Sequence, residues 1–286
     1  MGVFHYRFFG LHIDSEVDLG GASHERGATP DVRIRLGSVP GLHASSTARE
    51  DHIRVRDTGA FLIRDGEEIV ADLKPGVAPE LVRVLLNGRL MAYLLRQRGW
   101  FPLHGSAVQV GSGAVIFIAS AGTGKSTMAA ALCSRGYTVL SDDVSPVQMV
   151  SGAYVLQPGR PRLRLCEDSA LQFSTLAPAW TLAVDKHELQ VSGPESPGCV
   201  PVQRIYVLEN GEDLRVEEVP PLDAMRAIGK ECFVRLHCAS SEVLVSHLRS
   251  SSALVNAGLV RRLSRPRGFG QLDAVVRAIE ADLGLG

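Results

Sequence analysis

Ten residues, Ile118-Ala119-Ser120-Ala121-Gly122-Thr123-Gly124-Lys125-Ser126-Thr127, constrain this chain more than any other feature. They follow Ala114-Val115-Ile116-Phe117-Ile118, an apolar run of buried-strand type, and lead into Ser126-Thr127-Met128-Ala129-Ala130-Ala131-Leu132-Cys133, which has helix-forming composition. A strand that turns through glycines into a helix aims successive backbone N–H groups and the positive helix end at one point, which is a cradle for phosphate. The run is a P-loop pattern with one glycine replaced: Ala119 stands where glycine is usual, so the first turn is right-handed or extended there. The pattern predicts a nucleoside triphosphate held by Ser120, Ala121, Gly122, Thr123, Gly124, Lys125, Ser126 and Thr127. Lys125 reaches the β- and γ-oxygens, and the Ser126 hydroxyl completes the shell of a Mg²⁺ ion.

Composition narrows the surroundings of that loop. The 286 residues suffice for one large domain or two ordinary ones, and 45% hydrophobic with 21% charged residues is the balance of a soluble globular protein. A formal net charge of −1 provides no global field to recruit nucleic acid or an anionic membrane, so neither is expected as a partner. The five cysteines form no C-x-x-C pair, which reads as reduced thiols and argues against zinc. The start Met1-Gly2-Val3-Phe4-His5-Tyr6-Arg7 has no basic stretch leading into an apolar one, and Tyr6 occupies the position where a myristoylation signal needs Ser or Thr. A cytoplasmic location is the expectation.

Residues 1–75 read as a small antiparallel β-rich domain. Short strands are expected at Tyr6 to Ile13, Asp31 to Leu36, His52 to Val55, Ala60 to Ile63 and Glu68 to Ala71, separated by turns at Gly20-Gly21, Gly27 and Pro40-Gly41. Residues 76–99 form a connecting helix, with Leu81, Val84, Leu85, Met91, Ala92 and Leu95 on one face and Gly88 set within it as a bend or a close contact. From residue 100 to 286 strands and helices alternate, beginning with a hairpin turned at Gly111-Ser112-Gly113. Helices are expected at Leu222 to Ile228, Glu242 to Asn256 and Gln271 to Leu283, and a loop at Pro194 to Pro201.

A phosphate loop alone does not separate a kinase from a GTPase, an ATPase or a switch. Leu140-Ser141-Asp142-Asp143 puts two carboxylates at the end of the strand after the loop's helix, where an acid sits beside magnesium. Neighbours on a strand end point in different directions, so one faces metal and the other an acceptor hydroxyl. Asp143 is the candidate metal ligand alongside Ser126. Arg162 and Arg164 alternate with Leu163 and Leu165, which places both guanidinium groups on one strand face as candidates for stabilising a transferring phosphate or gripping an acidic peptide terminus. Lys186 is a weaker candidate of that kind, and the run Arg261-Arg262-Leu263-Ser264-Arg265-Pro266-Arg267 reads as a solvated surface.

In order, Leu103-His104-Gly105, the hairpin, Ser120 to Ser126, Arg135-Gly136-Tyr137 and Ser141-Asp142-Asp143 resemble the catalytic core of the HPr kinase/phosphorylase family, whose P-loop fold is shared with phosphoenolpyruvate carboxykinases. The resemblance spans residues 100 to 145. It implies a mixed α/β (α+β) chain: a P-loop kinase core with a small N-terminal β-rich domain. It also implies an ATP- and Mg²⁺-dependent kinase that phosphorylates a serine hydroxyl of a peptide or protein, and self-association into a homo-oligomer. Asp142 then matches the general base, His104 lies beside it, and Lys125 and Ser126 hold phosphates and metal; Arg162 joins this catalytic set. The bifunctional members carry glutamate where this chain has Thr127, and a Glu-x-Arg-Gly-x-Gly signature that is missing here, so phosphorolysis and the sugar-transport carrier as substrate are not carried over. The layout is more similar to shorter kinase-related proteins of the superfamily, including those that phosphorylate the C-terminal serine of lasso peptides. Two other functions fit the loop: a nucleotide-binding regulatory switch and a kinase of a small hydroxylated metabolite.

Overall fold

A computed structural model of the chain describes residues 2–21, 29–41, 44–176, 180–183, 186–191, 198–233 and 238–285. Gly27, Val184, Asp185 and half of the expected Pro194–Pro201 loop lie outside them, and its last two residues, Val200 and Pro201, are strand. Two compact units are present, residues 1–102 with 233–249 and residues 103–232 with 250–286. The sequence reading breaks the chain near residues 75 and 100 and leaves 233–249 with the C-terminal part, because a short returning segment carries no compositional mark.

The first unit is built on a seven-stranded sheet of β1 (Phe4–Phe8), β2 (Leu11–Ser15), β3 (Val32–Leu36), β4 (Ser45–Ser46), β5 (Glu50–Val55), β6 (Gly59–Arg64) and β7 (Glu68–Leu73), in the order β1-β2-β3-β7-β6-β5-β4. Two expectations change here. The stretch Tyr6 to Ile13 is a hairpin and not one strand, turned at Phe9 and Gly10, both at positive φ (52° and 68°). The sheet is also mixed, since β3 runs parallel to both β2 and β7. Tyr6, Phe8, Ile13, Val32, Ile34, Phe61, Ile63 and Ile69 fill its core, on the alternation that a half-buried sheet imposes.

The expected connecting helix is two helices, α1 (Pro79–Leu85) and α2 (Met91–Gln97), joined by a π turn over Leu86–Leu90. Gly88 has φ −104° and ψ −107°, outside helical values, and a methyl group added there would meet nothing within 4 Å. The glycine therefore marks a bulge and not a close contact. The bulge turns Asn87 inward, where its amide donates to the Leu19 carbonyl at 2.8 Å.

At the end of α2, Arg96 and Gln97 both donate to Asp51 Oδ2, at 2.7 and 2.6 Å, while Ser46 Oγ donates to Oδ1 at 2.5 Å. Asp51 is fully buried; burial pushes its carboxyl up and Arg96 opposes the rise. Removing one partner of a buried ion pair strands the other charge, so Arg96→Ala is expected to cost about 3 kcal/mol. An acid whose folded pKa lies above its unfolded value loses stability as pH rises from the ordinary carboxylate range. Thermal melts of this variant should therefore show a larger deficit at alkaline than at acidic pH.

The second unit begins after β8 (Phe101–Leu103). Its central path contains β9 (Gly105–Val110), β10 (Gly113–Ile118), β11 (Thr138–Ser141), β12 (Ser145–Val150), β13 (Ala153–Leu156) and β17 (Val200–Asn210), in the order β11-β9-β10-β17-β13-β12. Between them in sequence, β14 (Arg162–Leu165), β15 (Trp180–Ala183) and β16 (Lys186–Gln190) form a small antiparallel sheet, and α4 (Glu167–Gln172) follows β14. Beyond β17 come β18 (Arg215–Glu218), α5 (Pro221–Lys230), β19 (Val260–Arg265) and α7 (Leu272–Asp282), while α6 (Ser241–Asn256) belongs to the first unit through residue 249 and to the second from 250; α3 (Lys125–Ser134) is the helix that leaves the glycine loop.

β10 pairs antiparallel with β9 but parallel with β17, which is parallel in turn to β19. The carboxyl ends of three parallel strands thus lie side by side, the place where open α/β sheets form ligand crevices. Val108, Val115 and Phe117 of the sheet, Met128 and Leu132 of α3, Leu163 and Leu165 of β14, and Val276 and Ile279 of α7 make one apolar core. The run 261–267 corrects the expected solvated surface. Residues 260–265 are a parallel strand with Leu263 fully buried and Arg265 only 5% exposed.

Candidate active site

Every residue of β10 is buried, and the chain leaves it through Ala119, itself 4% exposed and packed in the core. Gly122 and Gly124 then take positive φ values of 80° and 104°, which reverse the chain into α3. No side chain caps α3 and no acidic residue occupies its first turn. The first-turn N–H groups have no partner within the helix, so they and the helix dipole act on the space beyond the loop. Gly124→Ala would force a side chain into a left-handed conformation and against Arg265 Nη2, which donates to the Thr123 carbonyl at 3.1 Å. We expect that variant to lose about 1–2 kcal/mol in a thermal melt and to bind nucleotide more weakly in a fluorescence titration.

That space is a cleft of about 150 Å³ lined by His104, Gly122, Gly124, Lys125, Ser126, Asp143, Arg164 and Lys186. Lys125 is buried, with Nζ donating to the Ala119 carbonyl at 2.6 Å. Burial pulls its pKa down, opposed first by Glu231 and then by Asp142. Three cations converge on the cleft, Lys125, Arg164 and Lys186. A polyanion suits them.

The two aspartates have different surroundings. Asp142 Oδ1 accepts from Ser106 Oγ at 2.5 Å and Ser126 Oγ at 3.0 Å, and Oδ2 accepts from the Arg164 N–H at 2.7 Å. Burial, then the neighbouring charge of Asp143, raise its pKa, and these three donors oppose the rise. Asp143 has φ +68°, a left-handed value that aspartate tolerates, and its side chain is turned away into the cleft, where Arg164 Nη1 donates to Oδ2 at 2.9 Å. Burial raises this carboxyl too, but the charge and hydrogen bond of Arg164, with Lys186 and Arg162 behind, outweigh it and hold the pKa below the ordinary value.

His104 Nδ1 donates to the Asp143 carbonyl at 3.2 Å. Burial and Lys125 keep the ring's pKa low against the opposing pull of Asp143, so the imidazole is neutral at pH 7 with Nδ1 carrying the proton.

Of the loop, Ala121, Gly122 and Gly124 through Thr127 thus line one cleft with His104 and Asp143; Thr123 and Asp142 do not line it. Arg162 does not: it shares a strand face with Arg164, but Nη1 donates to Glu188 of β16 at 2.9 Å, and the residue is absent from the cleft lining. Arg164 stands at the cleft in its place. Thr127 lines the cleft with its hydroxyl bonded to Ser169 of α4 at 3.0 Å, and Ser120 faces a second cleft on the other side of the loop. Two residues escaped the sequence reading. Ser106, two positions after His104, holds Asp142, and Arg265 braces Thr123 from β19. Ser106 was within reach as the next inward residue of β9 after the histidine; Arg265, 142 residues from Thr123, had no local signal.

The donor set bears on the metal. Among the described residues no cluster of three or more His, Cys, Asp or Glu side chains forms a metal cage. Ser126 Oγ with a carboxylate behind it instead supplies the one or two oxygen contacts by which proteins hold Mg²⁺ that arrives with phosphate and water. The residues fit such an ion.

No protein-family model and no curated protein matches the chain. Among solved structures it is similar to the Hpr(Ser) kinase/phosphatase from Coxiella burnetii, at 13% identity and a TM-score of 0.33, over 64% of this chain and 92% of that one. No helix among the described residues is long and apolar enough to cross a membrane.

Proposed function

We propose that the chain is an ATP- and Mg²⁺-dependent kinase that transfers the γ-phosphoryl group to a serine hydroxyl of a peptide or protein. The observation that carries this reading is the Ser106–Asp142–Ser126 chain of hydrogen bonds beside an uncapped α3, with Lys125 and Arg164 on the adjoining cleft. The lasso-type peptide substrate rests on the resemblance of the sequence motifs alone, as does self-association.

The first-turn N–H groups of α3 and the loop hold the β-phosphate, and Lys125 leaves the Ala119 carbonyl for the β/γ-oxygens. The Ser126 hydroxyl would hold Mg²⁺, which supplies charge neutralisation between the β- and γ-phosphates. Asp142 accepts the hydrogen bond of the Ser126 hydroxyl, which would leave an Oγ lone pair available to the ion. Through its bond to Ser126 we assign Asp142 to the metal side of the site, where the resemblance implied a general base for the acceptor's proton. Asp143 orients Arg164 toward the γ-phosphate through their ion pair, and neutral His104 fixes the backbone of Asp143. Phosphoryl transfer asks for little more than such placement and neutralisation.

The test is incubation with γ-labelled ATP, Mg²⁺ and serine-containing peptides. Label on peptide serine is the expected result. Nucleotide binding that changes conformation while no peptide or protein acquires label would sink the kinase reading in favour of a switch.

A further inference from the structure

Arg265, the last residue of β19, has no counter-charge of its own. Arg261 and Arg262 of the same strand face Glu218 and Glu209, at 3.8 and 3.3 Å, but no carboxylate pairs with Arg265 among the described residues. It is buried all the same. Nη1 donates to the Pro266 carbonyl and Nη2 to the Thr123 carbonyl, both at 3.1 Å, while the buried Nε meets no acceptor. Burial pulls the guanidinium's pKa down, and no acidic group opposes it. A charge kept in such a place is costly and calls for a reason.

The base of the side chain is fixed. Arg265 lies opposite Asn210 in the parallel pairing of β19 with β17, and the Gly211 N–H donates to its carbonyl at 2.9 Å. From there the guanidinium reaches the back of the glycine loop, where a β-carbon on Gly124 would collide with Nη2. Gly124 lines the phosphate cleft and Arg265 does not, so the arginine stands behind the loop. The peptide between them then has a set direction. In a trans peptide the carbonyl and the following N–H point opposite ways, and no peptide bond among the described residues is cis. With the Thr123 carbonyl drawn back onto Arg265, the Gly124 N–H is turned forward, where it meets no acceptor among the described residues. The Gly124 carbonyl already accepts from the Met128 N–H at 2.9 Å, so from there on α3 fixes the chain.

We propose that Arg265 is a positioning residue for the polyphosphate: it holds the Thr123–Gly124 peptide so that the Gly124 N–H donates to a bound phosphate, and that phosphate supplies its missing counter-charge across the loop. The inference rests on the nucleotide-binding half of the reading above and names what preorganises the loop for it. Lys125 and the first turn of α3 make direct contacts, whereas Arg265 acts through the peptide it holds. An anion in the cleft offsets the cost of the buried guanidinium, so the occupied loop is favoured over the empty one.

The experiment titrates the full chain, carrying isotopically labelled glycine, with tripolyphosphate and Mg²⁺, and reads both the dissociation constant and the Gly124 amide resonance. Tripolyphosphate presents the phosphates without a nucleoside. In the unsubstituted chain the Gly124 amide proton should move downfield on binding. Arg265→Met should bind about tenfold more weakly, with a smaller Gly124 shift at saturation, because a charge-assisted hydrogen bond is misaimed. Arg265→Lys keeps the charge and a donor for the Thr123 carbonyl, and should recover most of the affinity. Binding by Arg265→Met within about twofold of the unsubstituted chain would overturn the assignment. So would tripolyphosphate binding that leaves the Gly124 amide of the unsubstituted chain unmoved, with the phosphate site itself left standing. Should Arg265→Met not fold, Arg265→Lys decides: a folded lysine chain that binds about tenfold more weakly or worse would overturn the assignment, since charge and donor are then not what the loop needs. An unsubstituted chain that binds neither tripolyphosphate nor ATP would remove the nucleotide reading and this role together.

Discussion

Asp142→Asn is expected to lower phosphoryl transfer by about 10²–10³-fold while the protein melts at the same temperature or higher. The reasoning follows the three hydrogen bonds to Asp142. The Arg164 N–H can only donate, so an asparagine at 142 must turn its carbonyl oxygen toward it and its amide nitrogen toward Ser106 and Ser126. The serine hydroxyls can rotate and accept from that nitrogen, and the fold is kept. The Ser126 lone pair that should face the metal is then occupied by the amide, and one negative charge beside Lys125 is gone. Burial and Asp143 already disfavour the ionised form of Asp142, so its neutral replacement relieves a cost. Turnover assays with a Mg²⁺ titration, alongside a thermal melt at neutral pH, check both halves. A large drop in melting temperature would show the carboxylate to be structural instead.

Lys125→Met is expected to have an effect of at least the same size on transfer, about 10³-fold, because it removes a preorganised positive charge from the point where charge develops. The side chain is buried and its charge is disfavoured there by desolvation. Methionine fills a similar unbranched volume without a charge, so folding should be unharmed. Its cost should appear in turnover and in ATP affinity, read by labelled transfer and by fluorescence titration. Retention of full turnover by this variant would mean that the glycine loop does not hold the transferring phosphate.

The parts of the site that were legible from residue order are those set by local geometry. The strand, glycines and helix of residues 114–133 are contiguous, and the two aspartates follow within one strand, so spacing alone brings them near each other. Alternation likewise puts Arg162 and Arg164 on one face of β14, opposite the buried Leu163 and Leu165. It does not say which of the two meets the cleft. That depends on Glu188 in β16, which takes Arg162. Antiparallel pairing was expected for residues 1–75 because short strands with turns favour hairpins; the parallel contacts of β3 join segments far apart in sequence and leave no turn signature. The Phe9-Gly10 turn was hidden for another reason. Phenylalanine rarely takes positive φ, so an aromatic at that position reads as strand.

β19 bears on how the chain comes into being. It follows every other described strand in the sequence, yet it lies beside β17, one strand removed from the loop strand β10, and carries Arg265 to the Thr123 carbonyl. Parallel partners cannot close as hairpins, so β10 must wait for β17 and β17 for β19 before the loop is braced. A ribosome-bound chain released only through residue 256 would have the glycine loop and both aspartates but no brace behind Gly124. Competence for nucleotide should therefore arrive abruptly, once residues 260–265 have been made, and not grow gradually as the chain lengthens.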